Sequence, residues 1–371
     1  MTALAASPPK AERFTVDGSD ALEARVRELC EAARDGVLAT VGRENVHALM
    51  LAGGYGRGEG GVLRVDAGSD APYNDLEFFV LLHGHPKLAP RRFEHALHEL
   101  GHALTPEAGI DVEFQAITLA TLEASPASMF YYDLVMGHRW LVGDESLLAR
   151  CGHHRDGARI PLHEATRLLF NRCSGLLFAK ERLARPVFTP ADADFVGRNL
   201  AKARLAFGDV WLTAHHLYDW SCRERHQRLA RLTLPDWAQP VLAHHAAGVE
   251  FKLHPVRTDE PRETLAAQHA ELTALGEKIW LWLEGRRLER EFDAPADYLN
   301  PRVNKCPEQP AWRNALVNLR TFGPRGLLGP AALRYPRERL FHGLVRLLFL
   351  GQAADLPAEV SAYEQLWSRY N

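Results

Sequence analysis

The sequence predicts an α+β protein, a small mixed-sheet domain followed by an all-helical one, and three observations carry that expectation. Three short apolar runs suited to strands all fall before Leu119, with a helical repeat set among them. Beyond Asp144 the strand signal almost vanishes and helical spacing takes over. A chain of 371 residues is also longer than one hydrophobic core usually serves.

The elements follow in order. Met1 to Arg13 holds Pro8 and Pro9 and no apolar block behind basic residues, so residues 1–19 are expected as a flexible tail rather than a signal peptide. From Asp20 to Asp35 the residues Leu22, Val26, Leu29, Cys30 and Ala33 fall at helical spacing, and Gly36 stands where a helix would stop. Val46 to Ala52 (VHALMLA) is a short apolar run ending in glycines, and Leu76 to Leu82 (LEFFVLL) is a second. Ile110 to Ile117 (IDVEFQAI) is a third, and it alternates. Between the last two, Phe93, Leu97 and Leu100 repeat at helical intervals over Arg91 to Ala103. The order helix, strand, strand, helix, strand makes a compact sheet domain over residues 20–155.

Residues 156–371 form the helical domain. Leu162 to Leu183, Asp192 to Trp220, Arg262 to Glu291, Arg337 to Gly351 and Pro357 to Tyr370 all carry helical spacing. Asp293 to Pro310 and Phe322 to Pro330 are rich in Pro and Gly and serve as long connections.

Composition narrows the class. Hydrophobic residues make up 46% and charged residues 25%, which excludes disorder as the bulk state. A formal charge of -3 gives no broad basic field, so nucleic acid is an unlikely partner. Five cysteines lie scattered without a CxxC pair, which fits reduced core thiols rather than a disulfide frame or a zinc site. No segment has the ~18 apolar residues needed to cross a bilayer, so no membrane contact and a cytoplasmic location are expected.

Chemistry concentrates in two places. The stretch Leu51-Ala52-Gly53-Gly54-Tyr55-Gly56-Arg57-Gly58-Glu59 packs glycines directly behind an apolar strand. Paired glycines let backbone N–H groups curl around phosphate oxygens, although a plain tight turn also explains them. The second is Tyr73-Asn74-Asp75-Leu76-Glu77-Phe78, where two carboxylates two residues apart share one face of a strand. Clustered carboxylates repel by a few kcal/mol at ~4 Å unless a cation lies between them. Asp111 and Glu113 repeat the arrangement at the head of the third strand. Three acids from two neighbouring strands can hold two magnesium ions, one on nucleotide phosphates and one on an acceptor group. The plain alternative is a set of solvated strand charges.

GGYGRGE, then PYNDLEFFVLL, then IDVEF together resemble the active-site signature of the DNA polymerase beta nucleotidyltransferase superfamily. The wording is nearest to bacterial protein uridylyltransferases, and the DLE form is similar to that of kanamycin nucleotidyltransferases. The resemblance spans Met50 to Asp144, roughly a quarter of the chain. It implies that Gly53 and Gly54 bind a triphosphate, that Asp75 and Glu77 are metal ligands, and that Asp111 is the third catalytic carboxylate, with Glu113 as the alternative ligand. Three departures stand out. Gly54 replaces the Ser that many members carry, and Gly60 to Asn74 is longer than the usual connection and suggests a flap. The chain also lacks room for the regulatory domains of the large uridylyltransferases, so their protein substrate does not carry over.

Around this core the sequence offers further candidates. Arg57 can brace a phosphate or pair with Glu59, and both enter the nucleotide-binding set. On the Asp192 to Trp220 helix, Asn199, Lys202 and Asp209 fall near one face, and Lys202 is the candidate to reach a triphosphate. Adjacent histidines (153/154, 215/216, 244/245) point about 100 degrees apart in a helix and do not share one ion easily. Arg223 to Arg231 (RERHQRLAR) is expected as a solvated basic face, and Trp280 and Trp282 as helix packing. The expected function is a metal-dependent nucleotidyltransferase. It would use magnesium and a nucleoside triphosphate to move a nucleoside monophosphate, AMP by preference, onto a small-molecule or protein acceptor with release of pyrophosphate. The helical domain would bind that acceptor. The alternative is a catalytically silent nucleotide-binding or antitoxin-like protein of the same fold.

Overall fold

The computed structural model describes residues 13–66 and 69–371 and divides them into two compact units. It is α+β, with a small mixed sheet and a large helical part. The first unit takes residues up to 161 and also residues 215–232 and 249–256. It opens with α1 (Asp20–Val41), whose N-cap Ser19 accepts a hydrogen bond from Leu22 N–H and so satisfies one of the helix's orphan donors. Then come β1 (Val46–Leu51), the single turn α2 (Gly53–Gly56), a hairpin of β2 (Gly61–Asp66) and β3 (Ser69–Tyr73), and β4 (Asp75–Leu82). After these follow α3 (Leu88–Ala108), β5 (Asp111–Thr118), α4 (Leu119–Ala124), α5 (Met129–Met136) and β6 (Arg139–Val142).

The four-stranded sheet has the order β5-β4-β1-β6. β1 runs antiparallel to β4 and β6, while β4 and β5 are parallel and joined through α3. Position in the sheet explains composition. β1 and β4 are central and read as near-continuous apolar runs, whereas β5 sits at an edge and alternates. Along β4 the two faces separate cleanly. Leu76, Phe78, Val80 and Leu82 join Leu22, Val26, Leu29, Phe93 and Leu97 of α1 and α3 in one core cluster. Phe79 and Leu81 instead pack with Ala48, Met50 and Leu134 on the opposite face. Asp75 and Glu77 lie on that second face, at the strand's head, where the apolar cover has not yet begun.

The second unit takes residues 162–214, 233–248 and 257–371. In chain order come α6 (Leu162–Leu183), α7 (Pro190–Ala214), α8 (Cys222–Leu229), α9 (Pro240–Leu253), α10 (Arg262–Arg287), α11 (Pro295–Tyr298), α12 (Ala311–Phe322), α13 (Arg337–Leu344) and α14 (Leu356–Tyr370). Of these, α8 belongs to the first unit, and α9 passes from the second to the first after Gly248. Leu169, Phe170 and Leu177 of α6, Val196, Phe207 and Val210 of α7, and Leu272, Ile279 and Trp280 of α10 are buried together. A polar knot sits in this core. Glu284, 0% exposed, accepts from Thr166 Oγ1 at 2.6 Å, Tyr298 Oη at 2.7 Å, and Arg287 at 2.7 and 2.6 Å.

Several expectations change. Within residues 13–19 of the supposed tail, Phe14 is 3% exposed and Thr15 bridges to Gly60, because the Glu23 carboxylate binds the Phe14 and Thr15 amides. The rest of that tail, residues 1–12, lies outside the described residues. The long Gly60 to Asn74 connection is the β2–β3 hairpin, and a fourth strand, β6, joins the sheet. The helix expected from Asp192 to Trp220 ends at Ala214. His216 takes a left-handed φ of 60°, and the chain leaves the helix there to enter the first unit. Residues 156–371 are therefore not wholly the second unit, since two of their segments help build the first.

Candidate active site

The register of β4 with β5 decides which acids meet. Asp75 stands opposite Asp111 and Glu77 opposite Glu113, so all four share the face that Asp75 and Glu77 occupy. Their exposure differs: Asp75 and Glu77 are half-buried, whereas Asp111 and Glu113, on the edge strand, are exposed. The glycine turn sits against the first pair. Ala52 N–H donates to the Glu77 carbonyl at 2.8 Å, which draws the end of β1 onto the head of β4. Gly53 follows with φ 62°, a conformation that costs a side-chain-bearing residue about 1–2 kcal/mol. A methyl group on Gly53 would stand 3.2 Å from the Glu77 carboxyl carbon, so a side chain there would press on Glu77 as well as strain the turn. Gly54 is as tightly placed, 3.0 Å from the Glu59 carbonyl on the same measure.

Charge on this face is frustrated. Burial, and then the neighbouring Asp75, pushes the Glu77 carboxyl above the ordinary glutamate range, with Glu113 adding to the shift. Glu113 is raised in the same way, by burial, Asp75 and Asp111. Two cations pull Glu77 down, Arg57 and Lys252. Among the described residues no three Asp, Glu, His or Cys side chains are gathered tightly enough to form a ready metal cluster. The donor set is nevertheless all carboxylate oxygen, the kind that hard divalent cations take.

A cationic cluster of the same unit lies beside these acids. Arg57, with 9% of its side chain exposed, donates to Asp133 Oδ2 at 3.1 Å, and its Nε and the Asp133 Oδ1 are buried without a hydrogen-bond partner. Tyr218 Oη donates to Asp133 at 3.2 Å, and Arg225 donates in turn to Tyr218. Lys252, half-buried at the end of α9, is held below the usual lysine range by burial first and then by Arg57, with Arg225 pushing the same way. Asp133 is raised by burial, against the pull of Arg57 and Arg225.

The expected residues thus fare differently. Gly53, Gly54, Asp75 and Glu77 come together, Asp111 and Glu113 share their face from the edge strand, and Arg57 stands within electrostatic reach. Arg57 pairs with Asp133 and not with Glu59. Glu59 is 2% exposed and structural: it accepts from Ser221 Oγ at 2.6 Å and Cys222 N–H at 2.9 Å, at the start of α8. Burial alone would raise its pKa, but those two hydrogen bonds hold it below the ordinary range. Lys202 is an exposed residue of α7 in the second unit, while Asp209 of the same helix is buried against His245 at 3.1 Å. The supposedly solvated run Arg223 to Arg231 contributes Arg225, 4% exposed. Asp133, Tyr218, Arg225 and Lys252 were missed because they come from three distant segments. The available signal was a lysine set between the apolar Phe251 and Leu253 at a helix end.

Compared with models of known protein families and with curated proteins, the chain finds no match.

Proposed function

We propose that the protein is a metal-dependent nucleotidyltransferase that moves a nucleoside monophosphate, AMP by preference, from a nucleoside triphosphate to a small-molecule or protein acceptor. One observation carries the reading: the Glu77 carboxylate lies against Gly53, in register with a second acid pair, within reach of like charges and of Arg57 and Lys252. Glu77 and Glu113, held above the ordinary range by burial and by neighbouring carboxylates, gain from a cation, and cations that are crowded and partly desolvated gain from an anion. A magnesium nucleotide supplies both. The GGYGRGE and NDLE resemblance supports the same choice.

In this reading Asp75 and Glu77, with Asp111 or Glu113, hold magnesium. When bound, the metal would neutralise phosphate charge and lower the pKa of the acceptor group. The chain's own part is positioning. The Gly53-Gly54 turn lets backbone approach the phosphates, and Arg57 and Lys252 balance the charge that builds on the leaving pyrophosphate. The acceptor oxygen or nitrogen attacks the α-phosphorus, the bond to the β-phosphate oxygen breaks, and pyrophosphate departs while the acceptor's proton passes to solvent or a carboxylate.

The test is transfer of label from α-phosphate-labelled ATP with magnesium to components of a cell extract. The wild-type chain should label a product, and Asp75→Asn with Glu77→Gln should lower labelling by on the order of 10³-fold. Equal labelling by the double variant overturns the proposal.

A further inference from the structure

Helix α12 is inside out. Its buried residues are Asn314 and Asn318, both 0% exposed, while Trp312, Leu316 and Leu319 are 69%, 48% and 39% exposed. The spacing of those three, four residues and then three, sets them in one stripe. The asparagines explain the inversion, because their side chains staple the helix to irregular backbone. Asn314 Nδ2 donates to the Leu333 carbonyl at 3.1 Å, and Asn318 Nδ2 donates to those of Ala332 and Arg334 at 2.9 and 2.8 Å. The 3₁₀ turns Gly323–Leu327 and Pro330–Leu333, which pack on α12, extend the apolar surface. Leu327, Leu328 and Leu333 are 43%, 71% and 56% exposed. Six large apolar side chains on three adjoining elements are more than the scattered exposure usual on a soluble surface.

The charge along this segment has one sign. From Gln309 to Arg337 there are five arginines and no aspartate or glutamate, in a chain whose formal charge is -3. Arg313, Arg320 and Arg325 are exposed beside the stripe. We infer that this face docks on an anionic lipid surface, with Trp312 and the leucines entering the headgroup boundary and the three arginines meeting lipid phosphates. A plane of negative charge over an apolar interior is complementary to leucines and a tryptophan beside three exposed arginines. A second copy fits less well, because a two-fold contact would bring Arg313, Arg320 and Arg325 against their own images. An acidic amphipathic helix calls for a groove, and these side chains stand out from three short elements. The contact is peripheral, since among the described residues no helix is long and apolar enough to cross a membrane. It is also independent of the nucleotidyltransferase reading.

The test uses the full chain and vesicle flotation. Wild-type protein should float with vesicles of mixed phosphatidylcholine and phosphatidylglycerol about tenfold better than with phosphatidylcholine alone, and raised salt should release it. Trp312→Ser with Leu328→Ser should remove that binding, and Arg313→Glu with Arg320→Glu should remove the preference for anionic lipid. All four positions are exposed, so melting temperature and elution volume should match wild type. Equal binding to both vesicle types, or undiminished flotation of the Ser variant, overturns the inference. So does a concentration-dependent dimer that the Ser variant abolishes without any vesicle binding. A helical Leu/Glu peptide that binds in place of vesicles and is lost in the same variant would also overturn it, giving the face to an acidic protein.

Discussion

Glu284 in the second unit and Glu77 in the first are both carboxylates drawn in from water, and their surroundings differ in kind. Glu284 has donors on every side, with Thr166, Tyr298 and a two-pronged Arg287 all within 2.7 Å. Glu77 has charges instead: burial and then Asp75 and Glu113 push its pKa up, and Arg57 and Lys252 pull it down. The first arrangement has its donors in place, and the second has charges where the donors would be. A buried polar group with its donors in place specifies packing. One left among like charges costs stability, and such sites gather where function needs them. On the proposed reading the contrast separates structural acids from functional ones, and it also sorts Glu59, which has its two donors, with Glu284.

The largest break of that comparison is Glu284→Ala. Removing one partner of a buried, paired charge leaves Arg287 only the longer Glu308 contact at 3.5 Å and the Lys305 carbonyl, at a cost of about 3 kcal/mol, the lower end for a broken buried pair. In a unit of this size that lowers the melting temperature by on the order of 10 °C. Denaturant unfolding checks it, and a variant as stable as wild type would show that the hydrogen-bonded knot does not hold the helices.

Next in size is Lys252→Met, which sharpens the functional side. The stem is kept and the charge lost, so affinity for magnesium-ATP measured by calorimetry should fall about tenfold, the lower end of what a hydrogen bond to a charged group contributes. Melting temperature should not fall, because this ammonium is disfavoured where it stands. A larger loss from Lys202→Met would restore the lysine that the sequence offered as a candidate.

Which parts were legible follows from how local each signal is. The strands around Met50, Phe79 and Phe114 and the helix through Val26 and Leu29 declare themselves by period, and a period needs only neighbours in sequence. The four acids and the glycines were legible for the same reason, since Asp75 and Glu77 share a face wherever β4 lies. Arg57 was visible but its partner was not, because Asp133 is 76 residues away. Lys252 and Arg225 lie between the helices expected at Asp192 to Trp220 and Arg262 to Glu291, and nothing local says that residues 215–232 and 249–256 return to the first unit. Spacing could name helices there but not the core they join. The inverted α12 was illegible for a related reason, since Trp312, Leu316 and Leu319 have the spacing of an ordinary buried stripe, and only the tertiary anchors of Asn314 and Asn318 turn it outward.

The smallest expected effect is the most pointed test of the contrast. A carboxyl whose pKa is raised on folding binds its proton more readily in the folded state, so its charge costs stability above the raised pKa. That cost disappears below the ordinary glutamate pKa of about 4.3. Glu77→Gln should therefore melt higher than wild type at neutral pH, with the two converging as the pH falls toward about 4. Magnesium nucleotide should narrow the same gap from the other side, because it stabilises only a chain that binds it. If Glu77→Gln melts lower than wild type at neutral pH, then partners hold Glu77 as they hold Glu284, and its place beneath Gly53 is a matter of packing.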